Sequence, residues 1–155
     1  MQAYTSEARV LLSGLGADEQ LGGYSRHKKA FARWENGIKK AEDWERLLQE
    51  LQMDLDRIGT RNLGRDDRVI SSLGKEIRYP YLAGHLIAFL ASLPVHLKMD
   101  HRLGDGVGDK MILRMLAKEL GLSNAARLAK RAIQFGARSA KMELDSSDAK
   151  GDALL

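Results

Sequence analysis

Residues 8–24 read ARVLLSGLGADEQLGGY, and the reading of this stretch decides the fold. A short apolar run, Val10-Leu11-Leu12, breaks off into Ser13-Gly14-Leu15-Gly16. The acidic pair Asp18-Glu19 and then Gly22-Gly23-Tyr24 follow. Apolar run, glycine turn and mixed segment predict a buried strand, a tight loop and a helix start. Glycine has no Cβ, so such a loop can turn sharply and bring its backbone close to a ligand. Free amides at a helix start then make it a place for an anion. A carboxylate beside bound phosphate repels it unless a divalent cation stands between them, which marks Asp18 as a candidate magnesium ligand. The same pattern also serves any strand–turn–helix unit, because Asp and Glu favour the positive end of the helix dipole.

A buried parallel strand needs neighbours on both sides and long crossovers to reach them. Downstream of Leu12 no second convincing apolar strand is legible. The expectation is therefore that the strand pairs with sheet encoded upstream of Met1, and that the chain is a piece of a larger domain.

At 155 residues the chain has the size of one ordinary domain. Its 44% apolar and 30% charged residues are those of a globular protein. A net charge of +4 suits small polyanionic ligands or a weak nucleic-acid contact, and selects neither. The absence of cysteine excludes disulfides and thiolate metal sites. No apolar run approaches a membrane span, and the first residues lack a signal-peptide core, so the expected setting is cytoplasmic with no membrane partner.

From Ser25 the composition turns basic, with Arg26, His27, Lys28, Lys29, Arg33, Lys39 and Lys40 against Glu35. Phe31 and Trp34 stand three apart on one helix face. A solvated face anchored by two aromatics accounts for this better than a nucleic-acid patch, since the aromatics are not spaced for stacking on bases. Residues 42–58 are the clearest helix: Trp44, Leu47, Leu48, Leu51, Leu55 and Ile58 recur at spacings of three and four. Gly59 is its expected terminator. Asp66 is the expected cap of a further helix carrying Val69, Ile70 and Leu73 and closing at Gly74.

Residues 75–81, KEIRYPY, are short and extended, since Pro80 keeps Tyr79 out of a helix. Arg65 or Arg78 is expected to pair with Asp66 or Glu76, and structural ion pairing explains these charges better than direct catalysis. Residues 82–93 form an apolar helix that Pro94 stops. His27, His85, His96 and His101 lack partners at metal-ligand spacing and are read as structural or exposed. The segment HRLGDGVGD (101–109) lacks the lysine-serine end of a phosphate loop and reads as a mobile connector. Asp109 is the expected cap of a helix bearing Ile112, Met115, Leu116 and Leu120 and closed by Gly121, and Ser123 caps the next turn. Residues 124–141 hold five basic residues and no acidic one, which either neutralise a bound phosphate or decorate the surface. Residues 145–155 read as a disordered tail.

Four stretches, in order, resemble the asparagine synthetase family. SGLGADEQLGGY resembles its pyrophosphate signature, S-G-E-G-x-D-E-x-x-G-G-Y. RNLGRDDRV with GKEIRYPYL is similar to its N-L-x-R-x-D and G-x-E-x-R-x-P-[FY]-L-D stretch. GDKMILRMLA is similar to its K-x-x-L-R helix, and KRAIQFGAR to its lysine loop before Q-[FY]-G. The likeness runs over residues 8–141, and its variants point to a divergent eukaryotic branch.

The resemblance implies a mostly α-helical fragment, residues 1–144, of an α/β adenine-nucleotide α-hydrolase-like (PP-loop ATPase) synthetase domain, with one or two short strands. Such a domain activates the side-chain carboxylate of aspartate with ATP and magnesium, forming an acyl-adenylate and pyrophosphate. Ammonia then displaces AMP, and glutamine supplies that ammonia through an N-terminal glutaminase domain with a cysteine nucleophile. Position by position, Asp18 matches the magnesium-binding aspartate. Ser13, Gly14 and Gly16 match the backbone cradle, and Glu19 the acidic neighbour. Lys130 or Arg131 falls nearest the phosphate-stabilising lysine, an electrostatic role that makes these two the catalytic candidates.

Departures from the family pattern are as informative. Leu15 stands where the family has a catalytic glutamate, and Ala83 where it has an aspartate. Lys130-Arg131 lies one residue out of register with the usual lysine. The first phosphate loop, S-G-G-x-D-S, and the glutaminase domain are absent from this sequence. The expected role is thus part of a glutamine-hydrolysing asparagine-synthase-like ligase, inactive alone and completed by the missing synthetase half and glutaminase domain. The alternative is a non-catalytic interaction or regulatory module that kept the fold. An RNA-binding helical module ranks last.

Overall fold

A computed structural model describes residues 6–31 and 41–132. Trp34, the basic residues beyond Ala132 and the expected tail lie outside the described residues. In chain order the elements are β1 (Val10–Leu12), α1 (Ala17–Gln20), α2 (Ser25–Phe31) and α3 (Ala41–Ile58), followed by a π turn (Gly59–Leu63). Next come α4 (Gly64–Ser71), β2 (Glu76–Arg78), a 3-10 turn (Pro80–Leu82), α5 (Gly84–Ser92) and α6 (Val95–Lys98). A second 3-10 turn (His101–Leu103) leads to α7 (Met111–Glu119) and α8 (Ser123–Ala126). The described residues are mostly helical with two short parallel strands.

The core forms where the apolar stripe of α3 meets α2 and α6. Phe31, Leu47, Leu51, Val95 and Met99 are buried together, with Trp44 packed against them. Phe31 and Trp44 meet edge to face with ring centroids 5.0 Å apart. Such a pair adds about 1 kcal/mol beyond the area it buries. The α3 stripe is narrower than its spacing predicts, since Leu48 is exposed while Leu47, Leu51 and Ile58 are buried.

The structure corrects the reading of β1. Its partner is β2, parallel, with Val10 opposite Glu76, Leu11 opposite Ile77 and Leu12 opposite Arg78. Leu12 is 74% exposed, so the apolar run is not a buried strand. This partner was illegible because Glu76-Ile77-Arg78 carries one apolar residue. Backbone bonds make the pairing, and Glu76 N–H to Arg9 O (2.8 Å) and Ser13 N–H to Arg78 O (2.9 Å) extend it at both ends.

Gly59 does not end α3. The backbone widens into the π turn, closed by the Gly64 N–H on Gly59 O, and continues as α4. A terminating glycine takes a left-handed φ, and Gly59 is not among the glycines that do. Gly74, at φ +69°, is one of them and closes its helix as expected. Asp66 does not cap α4, because Leu63 holds the N-cap position and Asp66 pairs with Arg65 at 2.7 Å. Arg78 pairs with Glu76 at 2.6 Å. Both expected ion pairs therefore form, on the surface, where water screens them and they add little.

Residues 100–109 are a hydrogen-bonded unit. Asp100 N–H bonds Gly108 O at 2.9 Å, and the Asp100 carboxylate takes Arg102 Nε and Nη2 at 2.8 and 2.6 Å. Asp109 does not cap α7, whose N-cap is Lys110 at φ +52°. Its carboxylate is drawn instead to Gly106 N–H (2.7 Å) and Arg114 Nη2 (2.6 Å). Among the described residues no helix is long and apolar enough to cross a membrane.

Candidate functional site

Lysines from two distant segments converge on Asp18 in α1. Lys110 Nζ lies 3.0 Å from its Oδ1 and Lys130 Nζ 3.6 Å from its Oδ2. Asp18 reaches this position because the chain folds back at Gly23, whose N–H donates to Asp18 O at 2.9 Å. A Cβ on Gly23 would overlap the Asp18 carboxylate, so the signature needs glycine there. Lys110 is fixed by its own N–H on Leu21 O at 2.9 Å.

Buried Arg114 places both lysines. Its Nε and Nη2 grip Asp109 through the backbone carbonyl (2.7 Å) and the carboxylate (2.6 Å), next to Lys110. Its Nη1 donates to Ala126 O (2.9 Å) and Leu128 O (2.8 Å), which sets the stretch ending in Lys130. Burial opposes ionisation of Asp109, but the bonds from Arg114 and Gly106 outweigh it and hold the carboxyl below its ordinary range.

Glu19 turns inward. It is 4% exposed, and it accepts Gly16 N–H at 3.0 Å and the Tyr24 hydroxyl at 2.6 Å. Burial, and then the bond to Glu19, push the Tyr24 phenol well above its ordinary pKa, so it stays a donor at neutral pH. The tyrosine ring carries two cations, with Lys130 Nζ at 4.7 Å and Arg26 Cζ at 4.9 Å from its centroid.

The turn between β1 and α1 satisfies several of its own amides. Leu15 N–H bonds Ser13 Oγ (3.2 Å), Gly16 N–H bonds Glu19, and Ala17 N–H bonds Gly14 O (3.3 Å). Gly16, at φ +99°, is buried beside Tyr81 and Leu82, whereas Gly14 is exposed. In this conformation the charge of the site lies in Asp18, Lys110 and Lys130 rather than in the amides of Ser13, Gly14 and Gly16.

Two cavities share Tyr24 and Ser25. The larger, about 490 Å³, is lined by Lys28, His101, Lys130 and Arg131. The smaller, about 380 Å³, is lined by Arg26, Arg57, Arg61 and Arg65 with Glu19 and Asp54. Behind them His27 is fully buried, accepting Tyr24 N–H on Nδ1 (3.4 Å) and facing Asp54 Oδ2 through Nε2 (2.9 Å). Asp54 also takes Arg26 and, at 3.1 Å, Arg57. Burial first, and then the Arg26 charge, lower the His27 pKa to about 4, so the imidazole is neutral and donates from Nε2. His85 and His96 are exposed and His101 is partly buried.

The lining of the larger cavity carries Lys28, Lys130 and Arg131 together with Asp105 and Asp109, and Lys28 is paired with Asp105 at 2.8 Å. Among the described residues no three metal-capable side chains cluster. Asp18 is thus a single carboxylate donor, compatible with magnesium held mainly by phosphate oxygens and water. Lys110, Arg114 and the arginine-lined cavity were not singled out from sequence. A signal for the first two was present, since Lys110 and Arg114 are the lysine and arginine of the K-x-x-L-R stretch within GDKMILRMLA.

A family model described as asparagine synthase matches residues 1–41 and 34–147. Asparagine synthetase domain-containing protein 1 of Bos taurus is 52% identical over 96% of this chain and 22% of its own length. Its counterpart from Homo sapiens is 50% identical over 92% of this chain and 21% of its own length. A putative glutamine-hydrolysing asparagine synthetase 1 of Methanocaldococcus jannaschii is 35% identical over 59% of this chain and 16% of its own. The chain spans about a fifth of the length of these curated relatives. No solved structure matches it.

Proposed function

Because this chain belongs to the asparagine synthase family, we propose that it supplies the pyrophosphate-side half of the active site of a glutamine-dependent amide ligase. The observation that carries this reading is the meeting of Asp18, Lys110 and Lys130 beside a basic cavity. A substrate carboxylate attacks the α-phosphorus of ATP, pyrophosphate leaves, and ammonia displaces AMP from the acyl group. The ammonium groups of Lys130 and Lys110 neutralise charge as it builds on the departing pyrophosphate, with Arg131 at the rim of the same cavity. Removing one such preorganised donor typically costs about a hundredfold to a thousandfold in rate. Magnesium, when bound, adds further neutralisation of the phosphates, and Asp18 is the carboxylate that would hold it. Glu19 and Tyr24 keep the turn in shape. The fold in which this occurs is the α/β PP-loop ATPase arrangement, in a cytoplasmic protein that also holds a first phosphate loop and a glutaminase domain.

The test is pyrophosphate release by a protein joining this chain to an S-G-G-x-D-S loop. Asp18→Asn and Lys130→Ala should each lower the rate by about a hundredfold or more while the fold is kept. An unchanged rate removes that residue from the site.

Leu15 supports a second reading, that of a module which retained the architecture without the chemistry. It is apolar and partly buried, with its N–H on Ser13 Oγ, at the position where the family signature has a glutamate. Leu15→Glu separates the two readings: a rise in pyrophosphate release from nothing marks a lapsed enzyme, and release by the unaltered protein rejects the module.

A further inference from the structure

Lys130 stands on a stretch that no helix or strand supports, and Arg114 fixes the backbone only as far as the Leu128 carbonyl. A lysine stem is long and flexible, so holding its ammonium in one place costs conformational entropy. The Asp18 carboxylate is one partner, at 3.6 Å, an ion pair too long for a hydrogen bond. The Tyr24 ring is the other. Nζ lies 4.7 Å from the ring centroid, within the range in which an aromatic quadrupole attracts a cation. Neither partner takes up an N–H in a hydrogen bond, and Lys130 donates none among the described residues.

Tyr24 is itself well fixed. Its hydroxyl donates to Glu19 at 2.6 Å, and its N–H meets His27 Nδ1 at 3.4 Å. Glu19 is 4% exposed and is held in turn by the Gly16 N–H at 3.0 Å. A phenol that donates to a carboxylate gains electron density, which strengthens the negative face of its ring. We propose that Tyr24 is the positioning residue for Lys130: its ring seats the ammonium beside Asp18 and leaves the N–H donors free for the oxygens of a ligand. The acidic pair of the signature then acts on one cation by two routes, Asp18 directly and Glu19 through the phenol. What the seated lysine does for a departing pyrophosphate rests on the ligase reading; the seat does not.

Nuclear magnetic resonance of the full chain reads the seat directly. Protons over an aromatic face are shielded, so the Lys130 Hε resonances should lie upfield of those of the exposed Lys118. Tyr24→Leu should return them to the ordinary position, and Tyr24→Phe should keep most of the displacement. Unshielded Lys130 protons in the unaltered chain overturn the proposal without recourse to any variant. In the longer protein, Tyr24→Leu should lower pyrophosphate release about tenfold and Tyr24→Phe about twofold. In a Lys130→Ala background Tyr24→Leu should cost nothing further, because no lysine is left to seat. A residue that only shaped the turn would cost as much in that background as alone, and such a result overturns the proposal, as does a phenylalanine variant as impaired as the leucine one. Shielded Lys130 protons in a longer protein that releases no pyrophosphate keep the seat and remove the ligase reading; release without shielding removes the seat alone.

Discussion

Lys110 Nζ stands 3.0 Å from the Asp18 carboxylate, although the two residues lie far apart in the chain. The contact gives the Asp18 carboxylate a cationic partner within the chain itself. In a protein with a complete nucleotide site, Lys110→Ala should weaken magnesium–pyrophosphate binding by about tenfold or more while circular dichroism is unchanged, as expected for the loss of one charge-assisted contact. Equal affinity would show that Lys110 only neutralises Asp18.

Gly23→Ala tests how Asp18 is held. The added methyl meets the Asp18 carboxylate and backbone, so either the turn shifts or the carboxylate leaves. Overpacking of this kind costs about 1–3 kcal/mol, readable as a lower urea midpoint. A variant as stable as the parent would mean that the turn is looser than the structure shows.

Arg114→Ala removes bonds to Asp109, Ala126 and Leu128 together and strands a buried carboxylate. Breaking a buried pair from one side typically costs about 3–5 kcal/mol. Arg114→Lys should recover little of this, because one ammonium cannot reach both segments as a planar fork does. Full rescue by lysine in urea denaturation would contradict the bridging role.

His27 makes stability depend on pH in a defined direction. Its pKa is about 4 in the folded chain against 6.5 unfolded, so the unfolded chain takes up the proton first. The contribution is complete above pH 6.5 and is lost as pH falls towards 4, by up to roughly 3 kcal/mol. Nuclear magnetic resonance of the ring protons should show no titration until well below pH 5.5. A midpoint near the ordinary histidine value would refute the buried neutral ring.

Local features of the sequence were read correctly where one residue type decides them. The α3 stripe, the positive φ of Gly74 and the short ion pairs Arg65–Asp66 and Arg78–Glu76 are of this kind. Misreadings arose where two acceptable outcomes compete. Gly59 can end a helix or widen it, and Asp109 can cap α7 or bind Arg114, whose guanidinium is the stronger donor. Contacts between distant loops leave no periodic trace, and so Lys110 and the wall formed by Arg26 with Arg57, Arg61 and Arg65 emerged only from the fold. The motif resemblance reached Asp18 and Lys130 but carried no information about how Lys130 is held.

The π turn ties chain length to register. Its i to i+5 bond between Gly59 and Gly64 accommodates a residue that a regular helix would not. Deleting a single residue between them would let the ladder relax to ordinary pitch and swing all later side chains by about 100°. Arg65 would then rotate away from Arg57, and Ile77 would arrive out of step with Leu11. Insertions and deletions at this one place therefore act as a register dial for the arginine wall and for the strand pairing that follows it.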